Sequence, residues 1–172
     1  SAAPGCVRTH RSFAGIDSPG KGVYSEIKFR GKRDAGRRRP AFGGNTVKNL
    51  LLINPSSPTR KTGLGQRPWP ATPPLALGYV AALTPADWHV RIVDEFIEPI
   101  DFDAPADLVG LTAFTCNAPR AYVVSRRFCE RGIPVVMGGI HASMCPDEAG
   151  QYVDAVVIGE AESIWAAVLA DA

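Results

Sequence analysis

A chain of 172 residues, 45% hydrophobic and 21% charged, has the length and composition of one globular domain with a core of its own. Its net charge of +2 is unevenly divided: residues 1–46 carry +7 and residues 47–172 carry −5, which argues against a nucleic-acid-binding face on the second part. No apolar run approaches the ~20 residues of a transmembrane span, and the start of the chain lacks the apolar core of a secretory signal.

Residues 1–46 mix Gly, Pro and Arg, include the run Arg37-Arg38-Arg39-Pro40, and show no sustained apolar periodicity. Such a segment buries too little surface to offset its ordering entropy, so a disordered basic extension is expected. A tail for nucleic acid or an anionic surface is the functional alternative. Cys6, Cys116, Cys129 and Cys145 form no C-x-x-C pair. That spacing argues against structural zinc, and the size and composition argue against a disulfide framework; the cysteines read as reduced thiols in a cytoplasmic protein.

From Val47 the texture becomes regular. Val47 to Ile53 reads as a strand that stops at Asn54-Pro55. The Pro/Ser/Gly-rich stretch from Asn54 to Pro74 is too long for an ordinary strand-to-helix connection, and loops of that length are usually functional or mobile. Pro73-Pro74 opens a helix carrying Leu75, Leu77, Tyr79, Val80 and Leu83, proline being tolerated in a first turn. Trp88 to Asp94 and Leu108 to Thr112 are the second and third strands.

A helix is expected over about Pro119 to Arg131, capped by Asn117 or Thr115, with Ala121, Val124 and Phe128 facing the core and Gly132 as a left-handed stop. Ile133 to Met137 is the fourth strand, a short helix lies near Pro146 to Gly150, and Val153 to Ile158 is the fifth strand. A helix from Ala161 to Ala170 ends the chain. Strands alternating with helices predict an α/β fold: a five-stranded parallel sheet of flavodoxin-like (Rossmann-like) order 2-1-3-4-5 with helices on both faces. The turn after the first strand lacks G-x-G-x-x-G, which disfavours a nicotinamide or flavin dinucleotide.

Four loops then project from one edge: Asn54 to Ser57, Thr112 to Asn117, Gly138 to Ser143, and Gly159 to Ser163. They offer hydroxyls, glycine amides, one His and two carboxylates, suited to a large polar ligand approached closely by backbone. Simpler readings stand beside this. Gly138-Gly139 is also a plain tight turn, His141 a hydrogen-bonding loop residue, and Glu160 and Glu162 the first turn of a helix. No nucleophile–histidine pairing and no metal triad is visible. Any chemistry must come from a bound cofactor or another domain.

Seven segments, L-L-L-I-N-P (50–55), P-P-L-A-L-G-Y-V-A-A-L (73–83), V-R-I-V-D-E (90–95), D-L-V-G-L-T (107–112), G-I-P-V-V-M-G-G-I-H-A-S (132–143), P-D-E-A (146–149) and D-A-V-V-I-G-E-A-E-S-I-W (154–165), stand in order. Together, over about residues 47–170, they resemble the N-terminal cobalamin-binding domain of cobalamin-dependent radical S-adenosylmethionine enzymes. The resemblance implies a flavodoxin-like sheet that holds cobalamin at its carboxyl edge, facing a radical S-adenosylmethionine barrel with a 4Fe-4S cluster on C-x-x-x-C-x-x-C. That motif is absent from these residues, so this stretch alone is not expected to cleave S-adenosylmethionine. The D-x-H-x-x-G motif of another cobalamin family is also absent, Asp94-Glu95-Phe96-Ile97-Glu98 having no His at the needed offset. The resemblance implies that cobalt is bound without a protein histidine ligand.

By the resemblance, the parent enzyme transfers a methyl group to an unreactive carbon or performs a related radical cyclisation. Asn54 and Pro55 are expected to shape the first loop, with Thr112, Ala113 and Thr115 near the nucleotide tail. Gly138, Gly139 and His141 are expected to line the tail slot, and Gly159, Glu160 and Glu162 the last loop. Gly139 is taken as a point of close backbone approach, where valine should block the ligand without unfolding the sheet. The alternative is a non-catalytic flavodoxin-like domain that binds a partner or another ligand. A phosphotransfer receiver is one version, but Asn54-Pro55 stands where its acidic pair would be.

Overall fold

The computed structural model describes Thr9–His10, Ser25–Phe29, residues 47–56 and residues 73–172. Two short strands come first, β1 (Thr9–His10) and β2 (Ser25–Phe29), followed by β3 (Lys48–Asn54) and helix α1 (Leu75–Ala82). Strands β4 (Trp88–Asp94) and β5 (Leu108–Thr112) lead to the long helix α2 (Ala118–Glu130). The chain continues as β6 (Val135–Gly138), α3 (Ile140–Met144), α4 (Pro146–Ala149), β7 (Ala155–Gly159) and α5 (Trp165–Ala170).

Strands β3 to β7 are mutually parallel and lie in the order β7-β6-β5-β3-β4, which is the expected 2-1-3-4-5 arrangement. Each is a run of Leu, Ile and Val because a parallel sheet with helices on both faces leaves neither side in water. Alternation then divides the side chains. Leu51, Ile53, Val109, Val135 and Met137 pack on one face with Ala121, Val124 and Phe128 of α2, all three of which are fully buried. Leu50, Leu52, Leu108, Val136 and Val157 face the other way, toward Leu77 of α1 and Trp165 and Val168 of α5. As expected, α2 ends at Gly132, whose φ of 77° takes the left-handed stop.

Several expectations are corrected. The sheet has seven strands rather than five, because β2 pairs antiparallel with β7 and β1 with β2. Part of the 1–46 segment is thus ordered structure. Ser25-Glu26-Ile27-Lys28-Phe29 has the period of two needed to half-bury a strand, and Ile27 is fully buried. The remainder of the 1–46 extension, Cys6 included, and residues 57–72 of the long loop lie outside the described residues. Neither Asn117 nor Thr115 makes a cap bond to α2. Asn117 is buried and works sideways instead: its Oδ1 accepts from the Phe114 amide at 2.7 Å and its Nδ2 donates to the Pro55 carbonyl at 2.8 Å. The stretch after Gly139, read as loop, is helix α3, and α5 starts four residues later than expected. Cys145 is a free cysteine. Among the described residues, no helix is long and apolar enough to cross a membrane.

Candidate functional site

The parallel strands all end on one edge, and there a slot of about 470 Å³ opens between the sheet and the α1/α5 face. Its floor is Leu52, Gly110, Val136 and Val157, one residue from each of four neighbouring strands, and its helical wall is Leu77, Val80 and Trp165. Gly110 is what keeps it open. A Cβ there would stand 2.6 Å from Leu52 Cδ2, closer than real side chains approach, so any larger residue displaces Leu52 and takes slot volume. The mouth carries Thr112, Gly138, Gly139, Gly159, Glu160 and Glu162, six of the eleven residues expected to form the site.

The mouth is braced from within. Ser143 on α3 donates from Oγ to the Gly139 carbonyl at 3.1 Å and accepts from the Gly159 amide at 3.0 Å, tying the ends of β6 and β7 together. Gly139 has φ 94°, a conformation that residues with a Cβ rarely adopt. A Cβ at this position would meet Thr112 Oγ1 at 2.8 Å and the Ala113 backbone N and O at 3.0 Å. The obstacle at Gly139 is therefore the chain's own β5 end. The expectation that valine here blocks a ligand while leaving the fold untouched is corrected accordingly.

The other expected residues lie beside the slot. Asn54 ends β3, where its Nδ2 donates to Asp94 Oδ1 at 3.1 Å, and Pro55 is held through its carbonyl by Asn117. Ala113 is buried, its amide donating to the Gly138 carbonyl and its carbonyl accepting from the His141 amide. His141 is displaced most from its expected place. The first turn of α3 swings its side chain to the α2 side, where it is buried. There its Nε2 lies 2.7 Å from the Tyr122 hydroxyl and its Nδ1 3.4 Å from Thr115 Oγ1. Tyr122 also donates to Glu148 at 2.9 Å. Burial, reinforced by the hydrogen bond and charge of Glu148, pushes the Tyr122 phenol well up, so it stays neutral and donates. His141 and Thr115 are thus joined to this cluster and are not lining residues. Tyr122→Phe should lower stability by about 1–2 kcal/mol while leaving the slot intact. Urea denaturation of the two proteins checks this, and an unchanged midpoint would contradict the account of the Tyr122 cluster.

A second brace holds the first loop. Glu95, just past β4, accepts from the Ser56 amide at 2.9 Å and hydroxyl at 3.0 Å, and is paired with the Arg120 guanidinium of α2. Burial acts to raise the Glu95 carboxyl, but the hydrogen bonds from Arg120 and Ser56 and the Arg120 charge outweigh it and hold the group below its ordinary value near 4.5. A carboxyl lowered in the folded state stabilises the fold above its unfolded value, and that contribution is lost as pH falls through the folded value. Acidification from pH 7 to below 4 should therefore remove stability that Glu95→Gln does not lose over the same range. Urea midpoints of the two proteins across that window read this directly.

The slot's inner walls were not anticipated from sequence. Leu52, Leu77, Val136 and Val157 have the character of core residues, and only Gly110, alone inside an aliphatic strand, signalled a close approach.

Comparison with known proteins converges on one family. The B12 binding domain pattern matches residues 70–169. A bacteriochlorophyllide d C-8(2)-methyltransferase of Chlorobaculum tepidum is 43% identical over 98 residues, covering 56% of this chain and 22% of that protein. A hopanoid C-2 methylase of Rhodopseudomonas palustris is 31% identical over 129 residues, covering 70% of this chain and 24% of that one. The chain thus spans about a quarter of the length of these relatives. The solved structure of the radical S-adenosylmethionine methyltransferase TsrM from Kitasatospora setae shares the fold, with a TM-score of 0.56 at 20% identity over 72% of this chain and 25% of that one.

Proposed function

Because the chain belongs to the B12-binding domain family, we propose that residues 47–172 hold cobalamin at the carboxyl edge of the sheet, as the cofactor module of a radical S-adenosylmethionine methyltransferase. The observation that carries this reading is the slot: about 470 Å³ of space kept open by a glycine in the middle of a core strand. Folding alone gains nothing from a gap there, since interiors otherwise pack to crystal density. A ligand arm does.

In this reading Leu52, Gly110, Val157 and Trp165 receive the nucleotide tail, while Thr112, Gly138 and Gly139 form its entry. Glu160 and Glu162 border the mouth as solvent-exposed carboxylates. When bound, cobalamin supplies the methyl-carrying chemistry that no side chain of this domain offers. The protein's part is to orient the cofactor and to exclude water from its tail. The relatives named as methyltransferases favour methyl transfer in the parent enzyme. The exposed apolar residues Phe114, Ile140 and Met144 on the same edge suit a covering domain, the radical S-adenosylmethionine barrel with its 4Fe-4S cluster.

The test is to mix the purified 172-residue chain with hydroxocobalamin, remove unbound ligand, and record the visible spectrum. Near-stoichiometric retained corrinoid is expected, and a colourless protein would count against the reading.

A further inference from the structure

The slot changes character with depth. Its mouth has hydroxyls, glycine amides and carboxylates, whereas its inner wall is Leu52, Leu77, Val136, Val157 and Trp165, each at most 4% exposed. The polar atoms near that inner wall are already committed. The Trp165 indole N–H donates to Thr84 Oγ1 at 2.9 Å, and the Thr84 hydroxyl in turn donates to the Val80 carbonyl at 2.8 Å. The Ser143 hydroxyl is spent bridging Gly139 and Gly159. Strand amides and carbonyls on the floor belong to the parallel ladders. Among the described residues, the deep end thus offers hydrocarbon and one aromatic face, with no side-chain donor or acceptor left over.

We infer that this slot selects corrinoids by the chemistry of their lower base, accepting a dimethylbenzimidazole and discriminating against a purine. The inference rests on the reading of the slot as the site of the nucleotide tail. Dimethylbenzimidazole presents two methyl groups and a hydrocarbon edge, which gain from leaving water for aliphatic walls. Adenine presents ring nitrogens and an exocyclic amine, which would be stripped of water and find no partner at the same depth. Discrimination of this kind is steeper than that produced by size alone, because an unpaired buried polar group costs more than a missing methyl.

The experiment compares three corrinoids on the unmodified 172-residue chain by equilibrium dialysis. They are cobalamin, its counterpart with adenine as lower base, and cobinamide, which has no lower base. Cobalamin should bind at least about tenfold more tightly than the adenine form, with the adenine form no better than cobinamide. Equal affinity for cobalamin and the adenine form would overturn the selectivity while leaving cobalamin binding in place. Failure of all three to bind would overturn the tail-site reading and the selectivity with it. A second measurement uses Val157→Thr, which exchanges one inner-wall methyl for a hydroxyl at nearly constant volume. The cobalamin-to-adenine preference should narrow severalfold in that variant, by weaker cobalamin binding and stronger binding of the adenine form. A folded variant with an unchanged ratio would remove this wall as the source of the discrimination.

Discussion

Gly110→Val should abolish cobalamin retention while leaving the sheet folded. Gly110 lies in the middle of β5, in register with Leu52 on one side and Val136 on the other. Its φ is not positive, so a β-branched residue suits the strand locally. The new side chain emerges on the slot face, where its Cβ already overlaps Leu52 Cδ2. Leu52 is flexible at that end and yields, but the space taken by its displacement and by the valine methyls is the space of the ligand. Retention should fall at least about a hundredfold, which corresponds to about 2.7 kcal/mol. Overpacking should cost stability only about 1–3 kcal/mol. Equilibrium dialysis and a thermal melt measured on the same sample separate the two effects. A folded variant that binds cobalamin normally would remove the slot from the site.

Gly139→Val should act in the reverse order, through the fold first. The residue sits at φ 94°, where a branched side chain is strained by about 1–3 kcal/mol. Its Cβ would also press on the Ala113 backbone, which cannot retreat freely because its amide bonds Gly138 and its carbonyl accepts from His141. Together the two effects should reach about 3 kcal/mol or more, lowering the thermal midpoint by roughly 10 °C. Loss of cobalamin would follow from the shifted β6–α3 turn. An unchanged melting temperature would contradict this account, and Gly139→Ala should fall between the two proteins.

The parallel sheet was legible because its physics is written locally. Runs such as Leu50 to Ile53 and Val135 to Met137 are apolar on both sides, and only a strand covered on both faces asks for that. The rim glycines were legible for a similar reason, since Gly138, Gly139 and Gly159 interrupt such runs where strands end. The slot's deep walls were not. Val136 and Val157 look the same in sequence whether they touch a helix or an empty groove, and only the spacing of α1 and α5 from the sheet distinguishes the two cases. His141 was misplaced because adjacency to Gly139 says nothing of direction. Once α3 begins at Ile140, successive side chains diverge by about 100°, and the imidazole turns toward α2. Strand β2 was missed because five residues of alternation in an Arg- and Gly-rich neighbourhood are too weak a local signal. Its partner β7 lies some 130 positions downstream.

That last strand sets where the protein can safely be cut. Ile27 lies opposite Val157, and Ser25 lies opposite Gly159, so the segment is fastened alongside one wall of the groove. A version trimmed to begin at Val47 would leave the Ala155–Gly159 edge with a row of unanswered amides and carbonyls beside bare aliphatic surface. Such margins recruit neighbouring molecules. Precipitation of the shortened protein would then report an unsheathed border, with no bearing on whether it recognises its cofactor.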